Sequence, residues 1–540
     1  MNPPVPEILQ EALATVLVAS GIERAPADIH VERTTRPDHG DWFTNLAMVV
    51  AKPAGRAPRE LAADLADRLK AHPPLHVDKV EVAGPGFINF HLGHGWLEDI
   101  LARLLEAGEE GYARPDLGHG EKVQIEFVSA NPTGPLHVGN GWLCSFGDTL
   151  ARLLERCGHR VSREYYVNDT GGQVRRLGES LLARVRREEV PEEGYQGDYV
   201  TELAGHYPGG SEDDVTEAGR WAAARILDNI RGSLGRLGIR FDEWFSQASI
   251  EEGGAVAETL QLLSSRGLVY EKEGATWLRT SDLGDSRDRV LIKSNGDITY
   301  LGGDIAYHRN KFLVRGFDRV IDVFGADHHG QVASLRAAVA ALGVDPESLE
   351  IHLGQMVSLV GAKMSKRAGN FVSLDSLLDD IGKDAFRLLS LMKSINEATT
   401  LDLDLVRRQT MDNPVYYVQY AHARISSIGR VRAERGIAMV PVAEANFSLL
   451  THPRECELIR CLDELPDVVA DACVRREPFK VTNWVRKLAD RFHGFYHDCY
   501  VMGEGVAPDL TQARLHLVEG ARIGFSIGLG LIGVSAPESM

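Results

Sequence analysis

The chain has 540 residues, of which 44% are hydrophobic and 25% are charged, as expected for a soluble globular protein of about three domains. It contains no run of eighteen apolar residues, and its N-terminus has no basic stretch ahead of an apolar core, so we expect neither a membrane span nor a secretory signal. The net charge of −18 argues against a protein that binds nucleic acid through bulk positive charge. Any RNA contact must therefore rest on local patches and shape.

The cysteine and histidine pattern argues against a metal site. Six cysteines occur without any C-x-x-C pair, which is unlike a zinc ribbon or a disulfide scaffold and favours a reducing cytoplasm. The run Asp327-His328-His329 is a weak metal candidate, because adjacent histidines cannot easily share one ion with one aspartate. We expect a cytoplasmic protein without structural zinc.

The first part of the chain, residues 1–112, is predicted to be a small α+β domain. Apolar spacing predicts a helix from Ile8, a strand over residues 29–33, and two strands around the turn Gly84-Pro85-Gly86. The segment 106–120 is rich in glycine and charge and is the predicted linker.

Residues 113–405 alternate predicted strands and helices, which indicates a parallel sheet. The predicted strands cover residues 123–127, 161–167, 320–324 and 352–358, and a further strand ends at Tyr300. A charged, mostly helical insertion is expected at about 172–235. From residue 406 to 540 the pattern becomes all-helical, which predicts a helical bundle.

One stretch in the middle part has the form of a ligand site. The strand 123–127 leads through a proline-rich turn to His137-Val138-Gly139-Asn140, which begins a long helical pattern. Free N–H groups and the positive dipole end of a helix favour phosphate there, and Gly139 lets a ring or phosphate come close. Alone, a strand, a turn and a helix with one histidine indicate a nucleotide site only weakly.

A second stretch is the basic loop over residues 361–370. Lys363 and Lys366 flank Ser365 between two apolar segments. The loop is either an ordinary solvated charged loop or one that faces a polyphosphate whose charge grows in a transition state. Together with His137 to Asn140, in this order, it resembles the two signatures of class I aminoacyl-tRNA synthetases. The flanking residues 126–139, Glu-Phe-Val-Ser-Ala-Asn-Pro-Thr-Gly-Pro-Leu-His-Val-Gly, resemble the arginyl-tRNA synthetase family, and the resemblance covers nearly the whole chain.

The resemblance implies a class I Rossmann-like catalytic domain that activates L-arginine with ATP to arginyl-adenylate plus pyrophosphate and transfers arginine to the 3' terminal ribose of tRNA(Arg). ATP is then a substrate that enters with Mg2+, the partners are L-arginine and tRNA(Arg) without DNA or membrane, and a monomer is expected. The implied catalytic residues are His137, Asn140, Lys363 and Lys366. The implied ATP-binding residues are His137, Gly139, Asn140, Lys363, Ser365 and Lys366.

A guanidinium substrate carries a permanent charge and a planar fork of donors, so its site needs carboxylates and other acceptors. By resemblance, the arginine-binding residues are Glu126, Asn131, Tyr300, Asp304 and Gln331. For Asp304 an alternative stays open, namely that it only caps the helix predicted to begin near Gly302.

The two ends of the chain are expected to contact tRNA. Residues 1–112 resemble the additional N-terminal domain of the family, with Asn45 and Asn89 as candidate contacts, and residues 406–540 resemble its anticodon-binding domain. Tyr416, Tyr420 and Arg424 could stack and clamp unpaired bases, or the tyrosines could be core residues and the arginine solvated. A truncation after residue 405 is expected to abolish tRNA charging and to leave the nucleotide fold able to bind ATP.

Two positions depart from the family pattern. The fourth residue of the first signature is commonly histidine and here is Asn140, which cannot carry positive charge and leaves more of the phosphate stabilisation to the lysines. Trp142 stands where relatives often have arginine, and the sequence offers no physical reason for it. Two other functions stay open: another class I synthetase or a nucleotidyltransferase with the His-x-Gly signature, and an RNA-binding paralogue with an inactive site.

Overall fold

The structure is a computed structural model that describes residues 3–34, 36–360 and 372–539. The basic loop with Lys363, Ser365 and Lys366 lies outside the described residues. The chain forms two compact units, each built from several segments. The first unit consists of Met1–Tyr112, Ile425–Glu464 and Asp490–Gly524, and the second of Ala113–Arg424, Leu465–Ala489 and Phe525–Met540.

Strands and helices are numbered in chain order. The strands in the described part of the chain are β1 (Glu32–Arg33), β2 (Trp42–Thr44), β3 (Val77–Ala83), β4 (Phe87–Leu92), β5 (Lys122–Phe127), β6 (Arg160–Val167), β7 (Glu243–Ser246), β8 (Val269–Lys272), β9 (Ala275–Leu278), β10 (Arg289–Ile292), β11 (Arg319–Gly325), β12 (Leu349–Gly354), β13 (Val357–Val360) and β14 (Thr399–Asp402). The α-helices are α1 (Val5–Val18), α2 (Leu46–Val50), α3 (Pro58–Ala71), α4 (Gly95–Gly111), α5 (Val138–Arg156), α6 (Gly171–Arg186), α7 (Asp198–His206), α8 (Val215–Arg236), α9 (Gln247–Glu252), α10 (Ala255–Ser265), α11 (Tyr300–Arg309), α12 (Val332–Ala341), α13 (Leu374–Ser390), α14 (Leu403–Val406), α15 (Pro414–Glu434), α16 (Pro453–Asp463), α17 (Leu465–Arg475), α18 (Phe479–Asp498) and α19 (Pro508–Ile532).

The first unit contains an antiparallel sheet in the order β1-β2-β4-β3. The predicted pair of strands around Gly84-Pro85-Gly86 is confirmed as the β3–β4 hairpin. The predicted linker over 106–120 is wrong in its first residues, because helical structure continues to Gly111, with a kink at Gly108, whose φ is 59°. Leu101 and Leu104 of that helix are buried, and this apolar stripe stabilises the part of the helix that precedes Gly108.

The second unit is built on a five-stranded parallel sheet in the order β12-β11-β5-β6-β7. β5 lies at its centre, with both faces covered: Phe127 on one face and Gln124 on the other are fully buried. Three helices, α6, α7 and α8, lie between β6 and β7, where the sequence predicts a helical segment. β8, β9 and β10 form a separate antiparallel sheet.

Two predicted strands of this unit need correction. The strand predicted to end at Tyr300 is wrong, because α11 begins at that residue and Thr299 caps it, with Oγ1 accepting the Gly302 N–H at 3.1 Å. The strand predicted over 352–358 is two strands, β12 and β13, and β13 pairs in parallel with β14 outside the large sheet. Apolar periodicity alone does not mark where a chain leaves one sheet for another.

Within the described residues, α19 is long and apolar enough to cross a membrane by length and composition, and 78% of its most apolar window is buried. Burial of this kind is typical of the core helix of a soluble protein.

Candidate active site

His137 begins α5 as its N-cap, at the carboxyl edge of the parallel sheet. Its Nδ1 accepts the backbone N–H groups of Gly139 at 3.0 Å and Asn140 at 3.4 Å, and Asn140 Oδ1 accepts the His137 N–H at 3.0 Å. An accepting Nδ1 carries no proton, so the ring is neutral with its hydrogen on Nε2, and burial lowers its pKa in the same direction. No described residue hydrogen-bonds to Nε2, which leaves that N–H for a ligand.

Asn140 therefore has a structural role that the sequence analysis missed. It closes a reciprocal capping box with His137, so that three N–H groups at the helix start have side-chain acceptors. The signal was present in the sequence, since an amide three residues after an N-cap is the pattern of such a box. Trp142 is 2% exposed, so its side chain belongs to the core.

The described residues that follow the basic loop lie against the start of α5. Ser373 forms an antiparallel β-bridge with His137, and the Leu374 N–H donates to Leu136 O at 2.8 Å. Ser373 also caps α13, with Oγ accepting the Ser376 N–H at 3.2 Å. Two stretches far apart in the chain are thus joined at the helix start where the sequence predicts phosphate binding.

The turn after β5 has a strained backbone. Val128 has φ 72° and Ser129 φ 39°, in the left-handed region that a β-branched residue rarely adopts, at a cost of about 1–3 kcal/mol each. Ser129 Oγ donates to Glu126 Oε1 at 2.8 Å and accepts the Tyr166 N–H at 3.1 Å, and Tyr165 Oη donates to Ala130 O at 2.7 Å. These bonds hold the turn in place, and retained strain of this kind is typical of functional sites.

Below this turn three buried carboxylates form a row across the sheet. Glu126 on β5 is the direct cross-strand partner of Glu164 on β6 and of Asp322 on β11. We call these three residues the acidic row. Like charges on adjacent strands repel, so the row requires cations nearby.

The cations come from the end of α11 and the π-helical turn Asn310–Val314 that continues it. Lys311 Nζ donates to Glu126 Oε2 at 2.7 Å and to Asp322 Oδ1 at 2.9 Å. Arg315 Nη2 donates to Glu164 Oε1 at 2.9 Å, and the Tyr307 hydroxyl donates to the same carboxylate.

His308 completes the contacts of the row. Its Nε2 lies 3.0 Å from Asp322 Oδ2, and its Nδ1 donates to the backbone carbonyl of Asp304 at 2.8 Å. Burial alone would raise the pKa of Asp322, but Lys311 and His308 hold it at about 2. The three carboxylates of the acidic row are therefore hydrogen-bonded to side chains of α11 and of the turn that follows it.

That Glu126 binds arginine directly stays a prediction. Both of its carboxylate oxygens already have partners, Lys311 and Ser129, and the residue is only 5% exposed. Its side chain belongs to the layer beneath the sheet edge, and the sequence could not show this because the partner lies 185 residues away.

Asp304 differs from the acidic row, although it lies one turn before His308 in α11. Thr299 caps this helix, so the N-cap explanation of Asp304 is wrong. Its carboxylate has no hydrogen bond or ion pair with any described residue. Burial raises the pKa of Asp304 to about 6, with Glu126 and Asp322 adding to the shift and His308 and Lys311 opposing it. A partly buried acid without a partner is suited to a cationic ligand.

Two of the other three predicted arginine contacts, Asn131 and Gln331, follow neighbouring strands of the parallel sheet. Tyr300 is 82% exposed at the first residue of α11. Asn131, after β5, is exposed and donates from Nδ2 to Gln173 Oε1 at 2.7 Å. Gln331, after β11, is exposed and lies with its Oε1 3.2 Å from His328 Nδ1. β5 and β11 are parallel neighbours, so the residues that follow both strands emerge at one edge.

The predicted RNA contacts on α15 form an ordered stack. The rings of Tyr416 and Tyr420 are 5.6 Å apart and 15° from parallel, and Arg424 Cζ lies 4.5 Å above the Tyr420 ring. All three side chains are partly exposed. The alternative, in which the tyrosines are core residues and the arginine is solvated, is therefore wrong, because the tyrosines are partly exposed and the arginine stacks on one of them.

The two asparagines predicted to touch tRNA differ in accessibility. Asn45 precedes α2 and is half-buried, with no side-chain capping bond. Asn89 lies on β4, between β2 and β3, and is 5% exposed. The contact of Asn89 with tRNA stays a prediction, and its burial makes Asn45 the more accessible of the two.

Three family models match successive parts of the chain. They are the arginyl tRNA synthetase N terminal domain at residues 5–92, the class I (R) tRNA synthetase catalytic domain at 101–217 and 210–423, and the DALR anticodon binding domain at 418–540. A protein of Moorella thermoacetica named arginine–tRNA ligase is 43% identical over 98% of both chains. The chain belongs to the arginyl-tRNA synthetase family. A protein of the same name from Carboxydothermus hydrogenoformans is 43% identical over 94% of each chain.

Arginyl-tRNA synthetase structures also share the fold. The enzyme of Thermus thermophilus aligns with a TM-score of 0.77 over 99% of this chain and 100% of its own, at 23% identity. The predicted fold class is confirmed: an α/β chain with a parallel sheet, an N-terminal domain and a helical C-terminal part. The boundaries at 112/113 and 405/406 stay a prediction.

Proposed function

We propose that this chain is an arginine–tRNA ligase, which activates L-arginine with ATP to arginyl-adenylate plus pyrophosphate and then transfers arginine to the 3' terminal ribose of tRNA(Arg). The observation that carries the proposal is the carboxylate of Asp304, which has no partner among the described residues, in a chain of the arginyl-tRNA synthetase family. A guanidinium group is always charged and would complete this site.

In the first step a carboxylate oxygen of arginine attacks the α-phosphorus of ATP, and the bond to the bridging oxygen of pyrophosphate breaks. His137 contributes its Nε2–H, and the start of α5 contributes the positive end of its helix dipole. Lys363 and Lys366 would offset the charge that builds on the leaving pyrophosphate. ATP would enter as its Mg2+ complex.

In the second step a ribose hydroxyl of tRNA attacks the carbonyl carbon of the adenylate, and AMP leaves. Little covalent chemistry falls to the protein, whose contribution is to orient the groups and stabilise charge. Asp304 would hold the guanidinium in both steps, with Tyr300, Asn131 and Gln331 around it. Lysine has a compact ammonium without the planar fork, so selection against it would not require a separate editing domain.

The tRNA contacts would come from both ends of the chain. The stack of Tyr416, Tyr420 and Arg424 has the geometry of a platform for an unpaired base. Residues 406–540 would form the anticodon-binding region, and residues 1–112, with Asn45 exposed enough to contribute, would bind elsewhere on tRNA. We further propose a cytoplasmic monomer with no DNA or membrane partner.

The deciding experiment is to charge total tRNA with each of the twenty amino acids. The expected result is that only arginine becomes attached, because only a permanent planar cation fits Asp304. Charging with a different amino acid would identify another class I synthetase. Absence of both charging and tRNA-supported pyrophosphate exchange would identify an RNA-binding paralogue.

Replacing His137 with asparagine should separate capping from catalysis. Asparagine is a good N-cap, so the melting temperature should change little, but the Nε2–H is lost and adenylate formation should slow by about a hundredfold. Single-turnover activation and thermal melting measure the two effects. His137→Ala, the control, should lose stability as well as rate. A wild-type rate of adenylate formation in His137→Asn would show that His137 only caps α5.

Replacing Lys363 or Lys366 with alanine should slow adenylate formation by about a hundredfold to a thousandfold and leave arginine binding unchanged. The reason is that these cations face charge that appears only in the transition state. The measurements are single-turnover activation and arginine affinity. Arg367→Ala, from the same loop, is the matched control and should have a smaller effect. Wild-type rates of adenylate formation in both lysine variants would show that neither Lys363 nor Lys366 stabilises the transition state.

A further inference from the structure

Lys311 is a fully buried cation that the proposed reaction does not use. Its side chain is 0% exposed, its Nζ bridges Glu126 and Asp322, and the Tyr307 ring lies 4.3 Å from the same nitrogen. With no exposed surface it cannot touch ATP, arginine or tRNA. Burying an ammonium costs several kcal/mol unless it is well compensated, so its retention beneath a ligand site requires an explanation.

The charges around Lys311 show what it compensates. The acidic row contributes three carboxylates, of which Glu164 is paired with Arg315. Lys311 is shared by Glu126 and Asp322, and His308 also contacts Asp322. Each acid of the row thus has a cationic or hydrogen-bonding partner.

The pKa of Asp304 depends on these same groups. The titratable groups that act on it are Glu126 from β5, Asp322 from β11, Tyr166 from β6, and His308 and Lys311 from its own helix and the turn that follows. Removal of Lys311 would leave the carboxylates to repel one another, and the cluster would bind a proton at a higher pH.

We propose that Lys311 is a positioning residue of the arginine site: it neutralises the acidic row beneath α11, so that Asp304 stays ionised and open to the guanidinium group. The inference rests on the proposed function and deepens it, since it makes selection of a permanent cation depend on a lysine that never meets the substrate. A proton on the cluster competes with guanidinium for the same negative charge.

In the wild-type protein, arginine affinity should already depend on pH. The ionised form of Asp304 binds guanidinium and the protonated form does not, and burial raises its pKa to about 6. Arginine affinity should therefore be constant above about pH 7 and should fall as the pH drops through 6. ATP affinity should not follow this profile.

The test is calorimetric titration of the full-length protein with L-arginine between about pH 6 and pH 8.5, in wild type, Lys311→Met and Asp322→Asn. Lys311→Met should move the midpoint up by about one pH unit, which makes binding about fivefold weaker at pH 6 and near wild type at pH 8.5. Asp322→Asn removes an anion instead and should move the midpoint down.

The matched control is Arg387→Met, which removes another fully buried cation, paired with Asp148 in the same unit. It should lose stability without any change in the pH profile. An unshifted profile in Lys311→Met, or shifts of the same sign in Lys311→Met and Asp322→Asn, would overturn the inference. If Lys311→Met does not fold, Asp322→Asn tests the inference instead: a midpoint that moves down supports it, and a midpoint that moves up or stays unchanged contradicts it. A wild type that binds another amino acid instead of arginine contradicts the proposed function, which is a different outcome.

Discussion

Replacing Asp304 with asparagine should raise the KM for arginine by about a hundredfold and leave the KM for ATP nearly unchanged. The substitution keeps the size of the side chain and removes the one carboxylate near this sheet edge that has no partner among the described residues. A charge-assisted bond to a guanidinium is worth on the order of 3 kcal/mol in a partly buried site, which is about two factors of ten. Steady-state aminoacylation with arginine and ATP varied in turn measures both constants.

Two further variants show whether the rise in the KM for arginine is caused by loss of the negative charge of Asp304. Asp304→Glu keeps the carboxylate on a longer stem and should retain more arginine use than Asp304→Asn. Glu126→Gln should behave differently, because it leaves Lys311 with one anionic partner and should lower stability more than it changes the KM for arginine. Normal arginine kinetics in Asp304→Asn would mean that another group binds the guanidinium.

Truncation after residue 405 should abolish folding of the nucleotide-binding part. Arg387 is fully buried and donates to Ile532 O at 2.8 Å as well as to Asp148 Oδ2 at 2.6 Å, and Arg476 contacts both oxygens of Glu350 at 2.9 Å. The truncation removes Ile532 and Arg476, so the buried Arg387 loses one acceptor and Glu350 loses one of its two arginine partners, and a lost hydrogen bond to a charged group costs about 1.5–3 kcal/mol. The truncated chain should be insoluble or lack a cooperative melting transition and ATP binding.

This result would reverse the expectation drawn from the sequence, in which the first 405 residues bind ATP alone. The control is Tyr420→Ala in the full chain, which disrupts the stack on α15 without removing a buried partner. It should reduce tRNA charging and keep the melting temperature and ATP affinity close to wild type. A soluble truncated protein with wild-type ATP affinity would show that the segments 465–489 and 525–540 are dispensable for the second unit.

Local spacing was enough to predict several parts of the site. The alternation in β5 and the helical pattern after His137 are short-range features, so the strand and the helix start followed from residues within one stretch. Asp304 was also named as a candidate from the sequence, through the family resemblance, although the strand predicted before it was wrong. Periodicity could not separate a short strand from a helix start at Tyr300, where Thr299 provides the cap.

Only the tertiary structure decided which of the acids have hydrogen-bonding partners among the described residues. The row of Glu126, Glu164 and Asp322 exists because β11, β5 and β6 are neighbours in the sheet although they are not consecutive in the chain. Lys311 has no distinguishing local pattern, because a single lysine near a helix end usually lies on a solvated face. The sequence by itself determined the family and the helix start at His137, since motifs and periodicity are local. The pairing of Glu126 with Lys311 and the dependence of the second unit on residues 465–489 and 525–540 were decided by packing between distant segments, which no local pattern encodes.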